Sequence, residues 1–222
     1  MTEAVVVLHG LGRSAWSMFR LEHELTRQGY LVYNKTYPSR DFPVEQLASR
    51  AIEPALQWAR LKGVNRVHFV THSLGGILVR YYLQTNPIEA LGRVVMLSPP
   101  NRGSAVADML LKMKLYRKFS GPVGHQLGTH KESMPNSLKP VNAEIGVIAG
   151  TLSSDPWFSA FLHEPSDGKV TVSNTMLDEM RDFIVVRHGH TYIMNSRQVM
   201  EQISHFLSNG QFLPGTSELS GK

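Results

Sequence analysis

Cysteine is absent from this chain of 222 residues. Disulfides, thiolate nucleophiles and cysteine-ligated zinc are therefore excluded. Also missing is any apolar run long enough to span a bilayer, so no transmembrane helix is expected. Met1-Thr2-Glu3 passes straight into Ala4-Val5-Val6-Val7-Leu8, without the basic start or small-residue cleavage site of a signal peptide. A cytoplasmic location is the expectation, and a chain without cysteine is compatible with the periplasm as well. Charge is sparse, and the formal net charge of +5 is spread along the chain with no nucleic-acid motif beside it. No nucleic-acid partner is expected, and most of this charge reads as solvated surface. The ten histidines are scattered and lack ligand spacing with carboxylates, so neither a metal nor a cofactor is expected.

What the chain does contain is a regular alternation of short apolar runs with helical patterns, the mark of parallel βαβ units in an α/β domain. The runs are Ala4 to Leu8, Leu31 to Lys35, Val67 to Val70, Arg93 to Leu97, Ile145 to Ala149 and Phe183 to Arg187. Their near-continuous apolarity predicts a sheet covered by helices on both faces. Met18, Leu21 and Leu25 recur at helical spacing, as do the apolar residues from Val44 to Ala59 and from Val199 to Leu207. Pro54 lies inside the second pattern and predicts a kink or a fresh start near Glu53. The whole chain, 1–222, is expected to form a single domain. Residues 104–140 break the alternation, with a helical run from Val106 to Phe119 that is basic on one side. This segment reads either as an amphipathic surface helix or as a small lid-like insertion making weak contact with a membrane surface.

The most informative stretch is Val67-His68-Phe69-Val70-Thr71-His72-Ser73-Leu74-Gly75-Gly76. An apolar strand meets a sharp turn with serine at its apex, and a helix opens behind it. Such a turn lifts its apical side chain clear of the sheet, above a helix N-terminus that can stabilise an oxyanion. Ser73 is thus the candidate nucleophile; the plainer reading is a strand–helix connection in which Gly-Gly relieves packing. Thr71 stands where the usual Gly-x-Ser-x-Gly pattern has its first glycine. The first strand ends in Leu8-His9-Gly10-Leu11-Gly12, a glycine-rich turn able to aim a backbone amide at the nucleophile. The amides of Leu11 and Leu74 would form the oxyanion hole.

A serine hydroxyl needs a base, and the base an orienting acid. After the last strand, Arg187-His188-Gly189-His190-Thr191 offers His190, with His188 as competitor. Asp167, in the turn Ser166-Asp167-Gly168, is the candidate acid, and Asp155 the alternative. His72 is expected to pack under the turn and point away from the site, and His9 to hold the oxyanion loop. Ser14, Ser17, Ser98 and Ser104 read as cap and turn residues. Met109, Met113 and Met134 could line an acyl groove or simply pack in the core.

With His9-Gly10-Leu11-Gly12, His72-Ser73-Leu74-Gly75-Gly76, Asp167-Gly168-x-Val170 and His190-Thr191 in this order, the chain resembles the α/β-hydrolases, in particular their compact lipase/esterase branch. It is similar to minimal six-stranded bacterial lipases and to proteins related to GPI-inositol deacylases. The resemblance implies a mostly parallel six-stranded sheet without a large cap, and a triad of Ser73, Asp167 and His190. It also implies a serine hydrolase acting on small-molecule or lipid esters through an acyl-enzyme. An acyltransferase using the same triad and a non-catalytic binding protein on this fold are the alternatives.

Overall fold

The computed structural model describes residues 2–153, 162 and 164–215. Six strands form one sheet: β1 (Glu3–Leu8), β2 (Leu31–Asn34), β3 (Arg66–His72), β4 (Leu91–Leu97), β5 (Glu144–Gly150) and β6 (Asp182–Val186). Their order is β2-β1-β3-β4-β5-β6. Every adjacent pair is parallel, in place of the mostly parallel sheet expected.

Alternation along each strand decides which helices cover which face. Val6 and Leu8 of β1, Phe69 of β3 and Met96 of β4 turn to one side. There they meet α2 (Val44–Leu61) and α3 (Leu74–Thr85) through Leu47, Ala48, Ile52, Ile77 and Leu78. Val5, Val7, Val70 and Val95 turn the other way, onto Leu21 and Leu25 of α1 (Phe19–Arg27). The same face receives Val199, Ile203 and Phe206 of the C-terminal helix Arg197–Asn209. Burial on both faces explains why the strands read as continuous apolar runs rather than alternating ones.

Two helical expectations need correction. Pro54 neither breaks α2 nor restarts it, and the helix is continuous from Val44 to Leu61. The hydrogen bond that Pro54 cannot make would have gone to the carbonyl of Arg50, and both residues lie on the exposed side, where water can take its place. The run from Val106 to Phe119 is not one helix. It divides into α4 (Ala105–Leu111) and α5 (Lys114–Gly124) at Met113, whose backbone is extended. α5 is interrupted in turn at Gly121, where φ is +66°. A Cβ at that position would fall 1.7 Å from the carbonyl oxygen of Arg40, so only glycine allows the two backbones to meet. Among the described residues, no helix is long and apolar enough to cross a membrane.

The carboxyl ends of the strands gather the loops after β1, β3, β4, β5 and β6. Strand order reverses between β1 and β3, and in open sheets of this kind a crevice forms at that point. Ser73 and the Gly10–Gly12 turn stand there.

Candidate active site

Ser73 occupies the turn between β3 and α3 with φ +51° and ψ −116°, a conformation that residues with a side chain rarely adopt. Its amide donates to the carbonyl of Leu97, which ties the turn to β4. The crowding behind it explains the glycines. A Cβ at Gly75 would lie 2.8 Å from the carbonyl oxygen of Leu8 and 3.2 Å from the Cβ of Thr71. Thr71 can therefore stand where a glycine was expected, because Gly75 leaves it room. Gly10 answers the same need on the facing loop, since a Cβ there would approach Nδ1 of His72 to 2.8 Å.

The hydroxyl of Ser73 faces Nε2 of His190 at 3.1 Å, and Nδ1 of His190 lies 2.7 Å from Oδ2 of Asp167. The other carboxylate oxygen of Asp167 accepts the amides of Lys169 and Val170 at 3.0 and 2.9 Å. A backbone bond from the His190 amide to the Asp167 carbonyl joins the two loops a second time. Burial works to raise the Asp167 pKa. The charge of His190, the hydrogen bond to it, the hydroxyl of Ser98 and the amide of Val170 outweigh burial and leave the carboxyl below its ordinary range. The competitor His188 points elsewhere, its Nε2 lying 2.8 Å from Oγ of Ser196, the residue capping the C-terminal helix. Asp155 lies outside the described residues.

Three neighbours complete the arrangement. His9 and Tyr37 stack with ring centroids 4.1 Å apart. Nδ1 of His9 donates to the carbonyl of Gly10, while its Nε2 accepts the amide of Tyr37. The Tyr37 hydroxyl donates to the His9 carbonyl, so His9 fixes the path of the chain into Gly10-Leu11-Gly12. His72 departs from expectation: its ring does not point away from the site but packs against that of His190, with centroids 4.9 Å apart. Its Nε2 donates to the His190 carbonyl at 2.9 Å, and its Nδ1 has no partner among the described residues. Burial holds its pKa well below the ordinary value, so the ring stays neutral.

Ser98 is the residue that the sequence reading passed over as a turn. It is fully buried at the end of β4 with φ +46°, and only Ser73 shares such a backbone among the described non-glycine residues. Its hydroxyl makes no hydrogen bond among the described residues, yet it lies near enough to Asp167 to help hold that carboxyl down. A serine in a Ser-Pro-Pro loop gives no sign of this, because the carboxyl it influences lies 69 positions later. Ser104, by contrast, is a cap as read, accepting the Ala107 amide at the start of α4.

Of the two amides expected to serve an oxyanion, that of Leu74 opens α3, where helix geometry provides no partner inside the helix. That of Leu11 donates to no protein group among the described residues. Leu74 directly follows Ser73 in the chain, and Leu11 lines a cavity of about 590 Å³ together with Ser73, His72 and His190. Val106, Ala107, Leu110, Met113 and Phe119, from the α4–α5 segment, give it an apolar wall. Met113 thus lines the cavity, whereas Met134 packs against the core. Among the described residues, no group of three or more metal-ligating side chains is placed to hold an ion.

The sequence model of the alpha/beta hydrolase family matches residues 5–201. The chain belongs to that family. Among solved structures, this alpha/beta hydrolase is similar to the mature form of the Bacillus licheniformis lipase BlEst2. The identity is 19% and the TM-score 0.77, over 92% of this chain and 90% of that one. It is also similar to the phospholipase PlaB of Legionella pneumophila, with 21% identity and a TM-score of 0.70. That match covers 92% of this chain and 57% of PlaB. A variant of tomato methylketone synthase I, complexed with beta-ketoheptanoate, shares the fold at 14% identity and a TM-score of 0.57, over 95% and 99% of the two chains. No curated protein matches the sequence significantly. Lipases and a methylketone synthase on one fold show that the fold alone does not fix the chemistry, which has to be argued from the site.

Proposed function

We propose that this alpha/beta hydrolase cleaves carboxylic esters with Ser73 as nucleophile, His190 as general base and Asp167 as the group that orients it. The observation that carries the reading is the continuous contact Ser73–His190–Asp167, 3.1 and 2.7 Å, at the head of an apolar-walled cavity. Asp167 accepts from Nδ1 of His190, which leaves Nε2 unprotonated and able to take the serine proton. Ser73 Oγ bonds to the ester carbonyl carbon while its proton moves to Nε2. The oxyanion that develops is met by the amides of Leu11 and Leu74 and by the N-terminus of α3.

Collapse of this intermediate breaks the bond to the alkoxy oxygen, which leaves as the alcohol with the proton from His190. A water molecule, deprotonated by His190, then attacks the acyl carbon; the bond to Ser73 Oγ breaks, Oγ takes the proton back from His190, and the carboxylic acid is released. The wall that Val106, Ala107 and Leu110 of α4 provide fits the acyl chain, favouring a medium or lipid-like length.

Labelling with a fluorophosphonate, read by mass spectrometry, tests the nucleophile, and p-nitrophenyl esters of increasing chain length test the reaction. Label on Ser73 together with ester turnover is the expected result. Folded protein that neither reacts with the probe nor turns over any ester would overturn the reading in favour of a binding protein.

A further inference from the structure

Two guanidinium-bearing residues line the cavity beside the Gly10–Gly12 turn. Arg13 follows Gly12 in the chain, and Cδ of Arg40 lies 3.8 Å from where a Cβ on Gly12 would be. The Arg13 guanidinium sits over the ring of Tyr192 at 5.9 Å, and that of Arg40 over the ring of Phe119 at 5.4 Å. Stacking of this kind holds the planar fork of donors in place without consuming its hydrogen bonds.

Neither guanidinium has a carboxylate within 4 Å among the described residues. Lys169 adds a third cationic side chain to the lining, and no Asp or Glu belongs to it. A concave site with one sign of charge and apolar walls concentrates ligands of the opposite sign.

Position narrows the ligand further. Arg13 is two residues beyond Leu11, so their Cα atoms are at most about 7 Å apart. An ester seated with its carbonyl at the Leu11 amide and its acyl chain along Val106 and Leu110 has only its alcohol part left to reach the arginines. From this we infer that the preferred substrate is an ester whose alcohol part carries a negative charge, a phosphate or a carboxylate, held by Arg13 and Arg40. The inference rests on Ser73 acting as the nucleophile. It makes the enzyme selective for anionic amphiphiles over neutral esters of the same acyl chain.

The test compares two soluble butyryl esters of equal size, one of 4-hydroxybenzoate and one of 4-hydroxybenzamide, which differ in the charge of the alcohol part. The ratio of kcat/KM, charged over neutral, is expected to be at least tenfold in low salt and to fall as salt screens the charges. In the double variant Arg13→Gln/Arg40→Gln the ratio should drop at least tenfold. Because the ratio is internal to each preparation, a loss of folded protein does not imitate the effect.

A ratio near one in the native enzyme, or a ratio unchanged within twofold in the double variant, overturns the inference. So does a double variant that releases phosphatidylglycerol vesicles while keeping its ratio on the soluble pair, since the arginines would then serve a membrane surface. Absence of fluorophosphonate label and of turnover on both esters marks instead a failure of the hydrolase reading itself.

Discussion

The imidazole of His72 donates from Nε2 to the backbone carbonyl of His190 at 2.9 Å, so the residue before Ser73 supports the backbone of the proposed base. The contact links β3 to the loop after β6, across 118 positions of sequence. With the His190 amide bonded to the Asp167 carbonyl, the His190 backbone is held through both its N–H and its C=O.

Replacing His72 with Phe keeps a ring but removes that donor and leaves a buried carbonyl unpaired. A loss of about 1–3 kcal/mol in stability is expected, as for other buried groups left without a partner. We further expect kcat on p-nitrophenyl butyrate to fall about tenfold with KM within about twofold, because His190 shifts while the apolar wall does not. A rise in KM with kcat unchanged would assign His72 to substrate binding instead.

Ser73 carries the strain of its turn. Ser73→Ala should abolish turnover and leave stability within about 0.5 kcal/mol, since alanine inherits the same positive φ. Ser73→Gly should also be inactive but about 1 kcal/mol more stable, the relieved strain exceeding the added entropy of the unfolded chain. Urea denaturation of the two variants reads this difference directly. Equal stabilities would show that the turn is not strained.

Asp167→Asn preserves size but offers Nδ1 of His190 an amide that can present its own N–H, favouring the wrong tautomer. A fall in kcat of about 10³–10⁴ is expected, by analogy with the effect of this change in another serine-triad enzyme. The amides of Lys169 and Val170 can still bond the side-chain oxygen, so circular dichroism should show an intact fold. A loss below tenfold would remove Asp167 from its role.

Among the described residues, His9, His68 and His72 are exposed by 2% or less. Burial is the largest cause of a lowered pKa at each. With folded values below the unfolded 6.5, the unfolded chain takes up these protons first as the medium is acidified. Stability from these groups is therefore complete above pH 6.5 and declines below it, until the folded values are reached. The slope is at most about 1.4 kcal/mol per pH unit for each group. Urea midpoints should fall between pH 7 and pH 5, and His68→Gln, remote from the cavity, should flatten the decline without changing its sign. Asp167, whose folded pKa is lowered, adds stability that is lost only in more acidic medium, as pH falls below the ordinary aspartate range and through its folded value.

Much of this protein was already decided by the sequence. The six apolar runs, the turn at Ser73 and the glycines of the first loop all express local requirements: burial on both faces, a left-handed backbone, and close approach of a helix to a strand. Such requirements are met by residues near one another in the chain, so they can be read without knowing the fold.

Tertiary structure decided what depends on distant partners. The sequence sets His190 ahead of His188 but places neither side chain. They separate because the loop after β6 delivers one to Ser196 and the other to Ser73. The break at Met113, the ring of His72 against His190 and the burial of Ser98 with a positive φ were likewise invisible in the chain. Each is fixed by packing between segments that meet only at the carboxyl ends of the strands, where no local preference speaks for either partner.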